Sequence, residues 1–130
     1  MNINFIKFLF ALKNASLSKK ETVVVDYSSA REKMTKVLYF EGLIQSFSLT
    51  VNSSNEHDFI VIKFRYSFDK SHLKYLTLLS KPSRIKYMKI KDLCHISDKK
   101  LMVFFSTNLG FLTIFQCKQL KIGGKLLFVC

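Results

Sequence analysis

The pattern of apolar and polar positions in the first half of the chain predicts two helices and three strands. Residues 3–13 form a nearly continuous apolar run of helical length, and ETVVVD (residues 21–26) is a β-branched run typical of a short buried strand. In residues 28–42 apolar side chains recur at helical spacing, which predicts a second helix. Residues 43–51 and 59–66 have strand-like composition and flank a polar stretch, so they predict a β-hairpin.

Three local signals predict where helices begin and end. Ser29 with Glu32 three residues later predicts a capping box at the start of the second helix, and Thr113 with Gln116 predicts another one near the carboxyl end. Gly42 stands where a glycine often follows the last helical residue. We therefore expect the second helix to end just before Gly42 and a short third helix to follow Thr113.

The second half of the chain is mostly strand-like. Residues 67–80 show no clean period and are interpreted as a connection between two lobes. Pro82 disfavours helix at the residue before it, so the basic stretch around it is predicted to be a turn that leads into a strand. LCHISD (93–98) predicts one helical turn, and strands are predicted for KLMVFFSTN (100–108) and KLLFV (125–129).

Together these elements predict an α+β fold with two small lobes. We expect residues 1–68 to form an N-terminal helix-strand-helix-hairpin lobe. We expect residues 69–130 to form a C-terminal, mostly β lobe with one short helix.

The charge of the chain indicates a polyanionic partner. Twenty-one Lys and Arg residues stand against nine Asp and Glu residues, which gives a net charge of +12 at pH 7. Nucleic acid is the commonest partner of so basic a domain, and an anionic membrane surface is the second. No acidic residue follows Asp98, whereas five lysines do: Lys99, Lys100, Lys118, Lys121 and Lys125.

The residues that could carry catalysis or bind a metal are few. Cys94, Cys117 and Cys130 are widely spaced and form no CxxC motif, which disfavours a disulfide framework or a zinc site. Cys94 and His95 are adjacent, but neighbouring side chains on a regular element point apart. We expect no cofactor and no metal. The apolar N-terminal run contains Lys7 and is too short to span a bilayer, so no membrane insertion is expected either.

A small polar turn is the strongest candidate for a binding site. Ser106, Thr107 and Asn108 precede Gly110, a residue that can adopt positive φ, and the pair Gly123-Gly124 follows. Short hydroxyl and amide groups suit the shallow minor groove of A-form RNA, where 2′-hydroxyls are displayed. The residues alone fit equally well a Ser/Thr turn motif with glycines that serve only the backbone.

The proline turn supplies a second group of candidates. Lys81 and Arg84 flank Pro82 and are expected to contact phosphate. Tyr87 can stack on a base or a sugar, or can lie half-buried in the core as strand tyrosines often do.

Short motifs along nearly the whole chain resemble those of one family, the universal small-subunit ribosomal protein number eight. They occur in the same order and with similar spacing, and they are Lys13-Asn14-Ala15, Ser28-Ser29, Glu41-Gly42-Leu43, Ser80-Lys81-Pro82-Ser83 followed by Tyr87, Ser106-Thr107-Asn108-Leu109-Gly110 with Thr113, and Gly123-Gly124-Lys125. Several positions depart from the family pattern, so side-chain contacts made there by relatives are not carried over: Lys7, Ala11, Ser83, Ile85, Asn108, Leu109, Ile114 and Lys125.

The resemblance implies a two-lobe structural protein that binds the central domain of small-subunit ribosomal RNA and supports its assembly, without catalysis. In such proteins the C-terminal lobe docks on an irregular RNA helix and the N-terminal lobe contacts another RNA segment. The resemblance and the residue types of the two turns together give these candidate RNA-binding residues: Lys13, Asn14, Ser28, Ser29, Lys81, Pro82, Arg84, Tyr87, Ser106, Thr107, Asn108, Gly110, Thr113, Gly123 and Gly124. The implied partners are the ribosomal RNA and neighbouring small-subunit proteins, with no small-molecule substrate.

Two other functions are kept as alternatives, a basic peripheral membrane-binding protein and an enzyme that uses Cys94-His95 or Cys117. The first helix is apolar nearly all round, which favours burial over membrane contact. The bacterial-type resemblance, the Lys- and Phe-rich composition and the drifted motifs predict a mitochondrial location, with plastid or bacterial cytoplasm as alternatives.

Overall fold

The computed structural model describes residues 3–50, 58–66, 72–80, 83–93 and 102–130. The chain divides into two compact units, an N-terminal unit of residues 3–74 and a C-terminal unit that begins at Tyr75. The lobe boundary predicted between residues 68 and 69 falls outside the described residues.

The N-terminal unit contains the predicted order of helix, strand, helix and hairpin. Its elements are α1 (Ile3–Leu17), β1 (Thr22–Asp26), α2 (Ser29–Phe40), β2 (Ile44–Thr50), β3 (Phe59–Phe64) and a 3₁₀ turn (His72–Tyr75) that crosses into the C-terminal unit. The three strands form an antiparallel sheet in the order β1-β3-β2, so the predicted hairpin of β2 and β3 is confirmed. Helix α1 continues four residues beyond the predicted end at residue 13, because Ala15 and Ser16 extend its buried face.

The core of this unit follows from two periodicities. Alternate residues of β3 are buried, as expected for a strand with one face against the helices. The apolar positions of α1 and α2 recur every three or four residues and are buried on the facing side. The fully buried side chains include Leu9 and Leu12 of α1, Met34 and Leu38 of α2, and Ile60 and Ile62 of β3.

The two ends of α2 differ in how well local signals predicted them. The predicted capping box at Ser29 is wrong: Ser28 is the N-cap and makes no side-chain capping bond. The Glu32 carboxylate is used otherwise, because it accepts a hydrogen bond from Tyr27 Oη (2.9 Å) and pairs with Lys36 Nζ (3.1 Å). That hydrogen bond lowers the pKa of Glu32 and raises the pKa of Tyr27.

The predicted helix end at Gly42 is confirmed. Gly42 has φ of 77°, and its N–H donates to the carbonyl of Tyr39. The N–H of Leu43 donates to the carbonyl of Leu38, and both bonds are 3.0 Å long. This is the Schellman arrangement, in which a left-handed residue turns the chain back on the last helical turn.

The C-terminal unit is a small antiparallel sheet with one short helix packed on it. Its elements are β4 (Thr77–Leu78), β5 (Tyr87–Met88), α3 (Ile90–Leu93), β6 (Val103–Thr107), β7 (Gly110–Thr113), α4 (Ile114–Leu120) and β8 (Gly124–Val129). The sheet order is β4-β8-β6-β7, and β5 also pairs with β8. The α+β prediction is confirmed, although α3 adds a single helical turn that begins earlier than predicted.

Two expectations for this unit need qualification. Residues 77 and 78 were interpreted as part of a connection, but they form β4 because their backbones pair with Phe128 and Val129 of β8. Most of the predicted turn at residues 93–98 lies outside the described residues.

The two faces of the C-terminal sheet carry separate apolar clusters. On one face Phe105, Leu112 and Leu126 pack against α4, where Ile114 and Cys117 are buried. On the other face the rings of Phe104 and Phe128 stack with their centroids 4.6 Å apart, and both are fully buried. Strand β8 contains a β-bulge where it pairs with β6. The adjacent residues Phe104 and Phe105 of β6 pair with Phe128 and Leu126 of β8, so Leu127 is an extra residue without a partner in β6.

Helix α4 begins and ends at well-defined polar contacts. The predicted capping box is confirmed: Thr113 Oγ1 accepts a hydrogen bond from the backbone N–H of Gln116 (3.4 Å), and the N–H of Thr113 donates to Gln116 Oε1 (3.1 Å). Lys121 ends the helix in the left-handed region with φ of 55°. No helix in the described ranges is long and apolar enough to cross a membrane.

Candidate RNA interface

Three strands of the C-terminal unit bring Tyr87, Lys125 and Ser106 into one row. In the register of the sheet Tyr87 of β5 lies opposite Lys125 of β8, and Lys125 lies opposite Ser106 of β6. Directly opposed residues of antiparallel strands project from the same face, with Cβ atoms about 5 Å apart. We call these three residues the strand row.

The strand row is accessible to a ligand. The Tyr87 side chain is 65% exposed, so the alternative that it lies half-buried in the core does not apply. Lys125 is exposed and Ser106 is half-buried. Lys125 forms no ion pair, and the Ser106 hydroxyl no hydrogen bond, with another residue in the described ranges. An aromatic ring, an ammonium group and a hydroxyl are therefore presented side by side.

Strand β5 is held in place by a buried serine that sequence reasoning did not select. Ser80 is fully buried, and its Oγ accepts a hydrogen bond from the N–H of Lys86 at 3.1 Å. The carbonyl of Lys86 in turn accepts from the N–H of Leu126 at 2.9 Å. Ser80 thus fixes the position of the backbone just before Tyr87. The only signal for it in the sequence is its place in the Ser-Lys-Pro-Ser string.

A hydrogen-bonded turn extends the row beyond Ser106. Thr107 Oγ1 donates to the carbonyl of Gly110 at 2.8 Å and accepts from the N–H of Leu109 at 3.2 Å. Gly110 has φ of 106°, a conformation that glycine adopts without strain, as predicted. Because the Thr107 hydroxyl is occupied within the turn, Ser106 and the exposed Asn108 are the side chains whose polar groups remain for a ligand.

The glycine at the start of β8 is required by packing inside the sheet. Gly124 is buried, and a Cβ at this position would lie 2.7 Å from Thr107 Cγ2 and 2.8 Å from the carbonyl oxygen of Ser106. Both distances are too short for any side chain. The absence of a side chain at Gly124 therefore lets β8 approach the backbone of the turn closely. Gly123, just before β8, is half-buried.

Thr113 has a structural place next to this surface. Its side chain is 3% exposed and its hydroxyl caps α4, so it orients the helix that covers the opposite face of the sheet. Arg84 is exposed near β5. Lys81 and Pro82 lie outside the described residues.

The C-terminal unit as a whole is strongly basic. Among its described residues Asp92 is the one acidic side chain, whereas seven are basic: Arg84, Lys86, Lys89, Lys91, Lys118, Lys121 and Lys125. Arg84, Lys86, Lys121 and Lys125 are exposed and form no ion pair with another described residue. So many unneutralised cations in one small unit attract a polyanion such as nucleic acid, whatever the sequence of its bases.

The N-terminal candidates fall at two separate places. Ser28 is the half-buried N-cap of α2 and Ser29 is exposed in its first turn, whereas Lys13 and Asn14 lie toward the end of α1. The start of α2 is tied to the start of α1, because Arg31 Nη2 donates to the carbonyl of Asn4 (3.2 Å) and Nη1 to that of Asp26 (2.9 Å). Asn14 is ten residues beyond Asn4, about 15 Å along the helix axis. The structure therefore does not bring the two pairs together.

The described thiols are poorly suited to nucleophilic chemistry. Cys117 and Cys130 are both free and buried. Burial raises the pKa of the Cys117 thiol, and it raises the pKa of Cys130 to about 12. A reactive cysteine needs the opposite shift, toward the thiolate. Cys94 and His95 lie outside the described residues. In the described ranges no three His, Cys, Asp or Glu side chains are grouped as a metal site.

The fold and this surface define a class of protein, a small α+β domain pair whose basic sheet presents a row of aromatic, cationic and hydroxyl groups. The family model of ribosomal protein S8 matches residues 5–130. The chain belongs to the ribosomal protein S8 family.

Several small-subunit ribosomal proteins align with this chain along almost its whole length. Small ribosomal subunit protein uS8 of Chlorobaculum parvum is 28% identical, over 93% of this chain and 91% of its own length. Small ribosomal subunit protein uS8c of Tetradesmus obliquus is 30% identical, over 98% of this chain and 96% of its own length. Small ribosomal subunit protein uS8 of Carsonella ruddii is 32% identical, over 97% and 95% respectively.

Proposed function

We propose that this protein is a structural constituent of the small ribosomal subunit and that its C-terminal unit binds small-subunit ribosomal RNA. The observation that carries the proposal is the strand row of Tyr87, Lys125 and Ser106 beside the turn that ends at Gly110. The names of the relatives support the ribosomal role. Binding to the central domain of the RNA and support of its assembly are the finer parts of the proposal. They require no catalytic step.

The row and the turn suit the minor groove of an A-form helix. There the 2′-hydroxyls both donate and accept hydrogen bonds, and the groove is wide and shallow enough for short side chains. Ser106 and Asn108 supply a hydroxyl and an amide that do the same. Since both side chains are short, ordering them costs less conformational entropy than ordering lysine or arginine.

Tyr87 and Lys125 contribute different interactions. The exposed Tyr87 ring can stack on an unpaired base or on a ribose, and stacking on an aromatic side chain is worth about 1–3 kcal/mol per base. The Lys125 ammonium, which lies between the ring and Ser106, can neutralise a phosphate. The surrounding lysines and Arg84 add attraction that does not depend on the RNA sequence.

The remaining candidates are proposed to act through shape or at a second RNA segment. Thr107, Gly110, Thr113, Gly123 and Gly124 hold the backbone of the turn and of β8 in a form that fits the groove. Separate contacts are proposed for residues of the N-terminal unit, namely Lys13, Asn14, Ser28 and Ser29. Phosphate contacts by Lys81 and Arg84 beside Pro82 complete the proposed interface.

The proposal is tested by measuring the affinity of the isolated protein for a fragment of the rRNA central domain at several salt concentrations. We expect steep salt dependence. Ser106→Ala combined with Thr107→Ala should weaken binding by at least about 2- to 10-fold, since the lost Ser106 contact is worth about 0.5–1.5 kcal/mol. Loss of the Thr107 hydroxyl adds to this by removing the two hydrogen bonds that hold the turn. Ser48→Ala, at an exposed serine of β2, is the matched control and should bind normally. Salt-insensitive binding, or full affinity of the double variant, refutes the proposal.

A second experiment separates presented side chains from turn-forming ones. Ser106→Ala with Asn108→Ala should lower affinity without destabilising the fold, because neither side chain bonds another described residue. Thr107→Ala should lower both affinity and stability, because its hydroxyl makes two hydrogen bonds within the turn. If the two variants behave alike, the assignment of roles is wrong.

We propose a mitochondrial location on the basis of the Lys- and Phe-rich composition and the drifted motifs. The bacterial and chloroplast relatives equally support the alternatives, a bacterial cytoplasm or a plastid. Immunoblotting of purified organelle fractions for the protein and for small-subunit RNA distinguishes the three.

A further inference from the structure

A groove of about 550 Å³ opens at the end of α2 in the N-terminal unit. Its lining comprises Tyr39 and Phe40 of the last helical turn, Gly42 after it, the beginning of β2, and Arg65 and Tyr66, which follow β3. We call this the end groove, and none of its residues belongs to the RNA surface proposed above.

The end groove is held open by backbone hydrogen bonds and therefore exists before any ligand binds. The Schellman turn at Gly42 reverses the chain beside the last helical turn. Arg65 Nη1 lies 3.4 Å from the position that a Cβ of residue 42 would occupy, so the guanidinium lies against this turn. Tyr66 Oη donates to the carbonyl of Lys20, which fixes the segment after β3.

Two aromatic residues that line the groove, Tyr39 and Phe40, are exposed. Phe40 is 81% exposed, the highest fraction of any large hydrophobic side chain in the described ranges. Its ring meets the edge of the Tyr39 ring (centroids 5.9 Å apart, 64°), and Tyr39 meets Phe47 in the same way (5.7 Å, 73°). An exposed cluster of aromatic side chains lowers the solubility of a protein. Such a cluster therefore indicates a surface that is covered by a partner in an assembly.

The charge of the end groove differs from that of the RNA surface. Among the described residues that line it Arg65 is the one with a charge, and this guanidinium forms no ion pair or hydrogen bond with another described residue. A groove that follows a nucleic-acid backbone is lined by several cations, one for each phosphate. Aromatic side chains around a single arginine are instead typical of the central part of protein–protein interfaces.

We propose that the end groove binds a segment of a neighbouring protein, one that places an apolar side chain against Tyr39 and Phe40 and a carboxylate against Arg65. The planar guanidinium can bind such a carboxylate through two parallel hydrogen bonds. This inference rests on the proposed function, because the assembled subunit supplies the neighbour. It assigns RNA contact and protein contact to different surfaces of one small chain.

The test uses a photo-reactive amino acid, p-azidophenylalanine, in assembled small subunits. It is placed at Phe40 in one variant and at Tyr87 in another, and we expect both positions to tolerate the change because both side chains are aromatic and exposed. After irradiation, adducts are identified by mass spectrometry. We expect position 40 to yield a protein adduct at a segment that contains Asp or Glu near an apolar residue, and position 87 to yield an rRNA adduct.

The outcomes at the two positions are read independently. An rRNA adduct at position 40, or no adduct there while position 87 reacts, overturns the end-groove proposal and leaves the proposed function standing. A protein adduct at position 40 without an rRNA adduct at position 87 supports the end groove but contradicts the proposed RNA surface.

Arg65 is tested in the same particles that carry the reactive group at position 40. Arg65→Glu should lower the yield of the protein adduct at least fivefold, because the introduced carboxylate repels the one on the partner. Arg65→Lys, which keeps the positive charge but loses the planar two-bond geometry, should give an intermediate yield. Lys33→Glu is the matched control, a charge reversal at an exposed position of α2, and should leave the yield unchanged. An unchanged yield with Arg65→Glu contradicts the carboxylate assignment.

Discussion

Substitution of Gly124 by alanine tests whether close strand packing shapes the RNA-binding turn. The added methyl group would lie 2.7 Å from Thr107 Cγ2 and 2.8 Å from the Ser106 carbonyl oxygen, where ordinary contacts are 3.4–4 Å. One of the two neighbours is backbone, so rotation of a side chain cannot relieve both contacts. Strand β8 must move away from β6 at the point where Ser106 and Lys125 are paired.

The expected cost follows from two opposing effects. Overpacking by one methyl group in a tight site costs about 1–3 kcal/mol. Replacing glycine by alanine also restricts the unfolded chain, which returns about 0.4–1 kcal/mol. We therefore expect Gly124→Ala to lower the free energy of unfolding by about 1–2 kcal/mol. Urea denaturation followed by circular dichroism measures this, and an unchanged m value shows that the unfolded state is comparable.

A second substitution makes the test specific to the contact. Thr107→Ser removes Cγ2 but keeps the hydroxyl that bonds Gly110 and Leu109. In combination with Gly124→Ala it should recover about 0.5–1 kcal/mol relative to the sum of the single effects, since the Ser106 carbonyl contact remains. The rRNA affinity of Gly124→Ala should fall, while the exposed neighbour substitution Lys125→Glu should leave stability unchanged. Wild-type stability of Gly124→Ala, or strict additivity in the double variant, refutes the packing argument.

Three further predictions concern single residues. Lys125→Ala should weaken rRNA binding about 3- to 10-fold at low salt and reduce the slope of log affinity against log salt by about 0.7–0.9, because one phosphate contact is lost. The control Lys36→Ala, at a lysine already paired with Glu32, should leave the slope unchanged. Thr113→Ala should lower the free energy of unfolding by about 1 kcal/mol through loss of the α4 cap, and Thr113→Ser should restore it. Burial raises the pKa of the Cys130 thiol from its ordinary value of 9.0 to about 12 in the folded protein. The stability that this residue contributes is therefore complete below pH 9 and is lost as the pH rises toward 12, because the thiol then ionises more readily in the unfolded chain. Cys130→Ala should show a smaller decline in the free energy of unfolding over that interval.

Each of these has a contrary result. An unchanged salt slope for Lys125→Ala places that ammonium away from phosphate. Equal stability of Thr113→Ala and wild type means that the cap contributes nothing. Alkylation of Cys130 in the folded protein at pH 8, at the rate of an unfolded control, contradicts its burial.

The capping signals show which local patterns can be read from a sequence. Thr113 and Gln116 form their capping box because both partners of each hydrogen bond lie within one turn and nothing else competes for them. Ser29 and Glu32 have the same spacing, yet the Glu32 carboxylate bonds Tyr27 and Lys36 instead. The two pairs have the same spacing, and the residues around each pair decided whether a capping box formed.

The strand row is a feature that could not be predicted from the sequence. Residue type singled out Ser106 and Tyr87, whereas Lys125 stood out only as one of five C-terminal lysines and as a departure from the family pattern. Its position between them depends on the pairing of β8 with both β5 and β6. That register is set by contacts between residues about 20 to 40 positions apart, and the extra residue in β8 changes which side chains share a face.

The amino-acid sequence by itself determined the α+β class, the glycine end of α2, the cap of α4, the excess of positive charge and the Ser-Thr-Asn turn. Each of these depends on periodicity, on net charge or on hydrogen bonds between residues close in the chain. Only the tertiary structure decided that Lys125 lies beside Ser106, that Gly124 must lack a side chain, and that Phe40 and Arg65 share a groove. These depend on strand register and on the packing of distant segments, which no local pattern specifies.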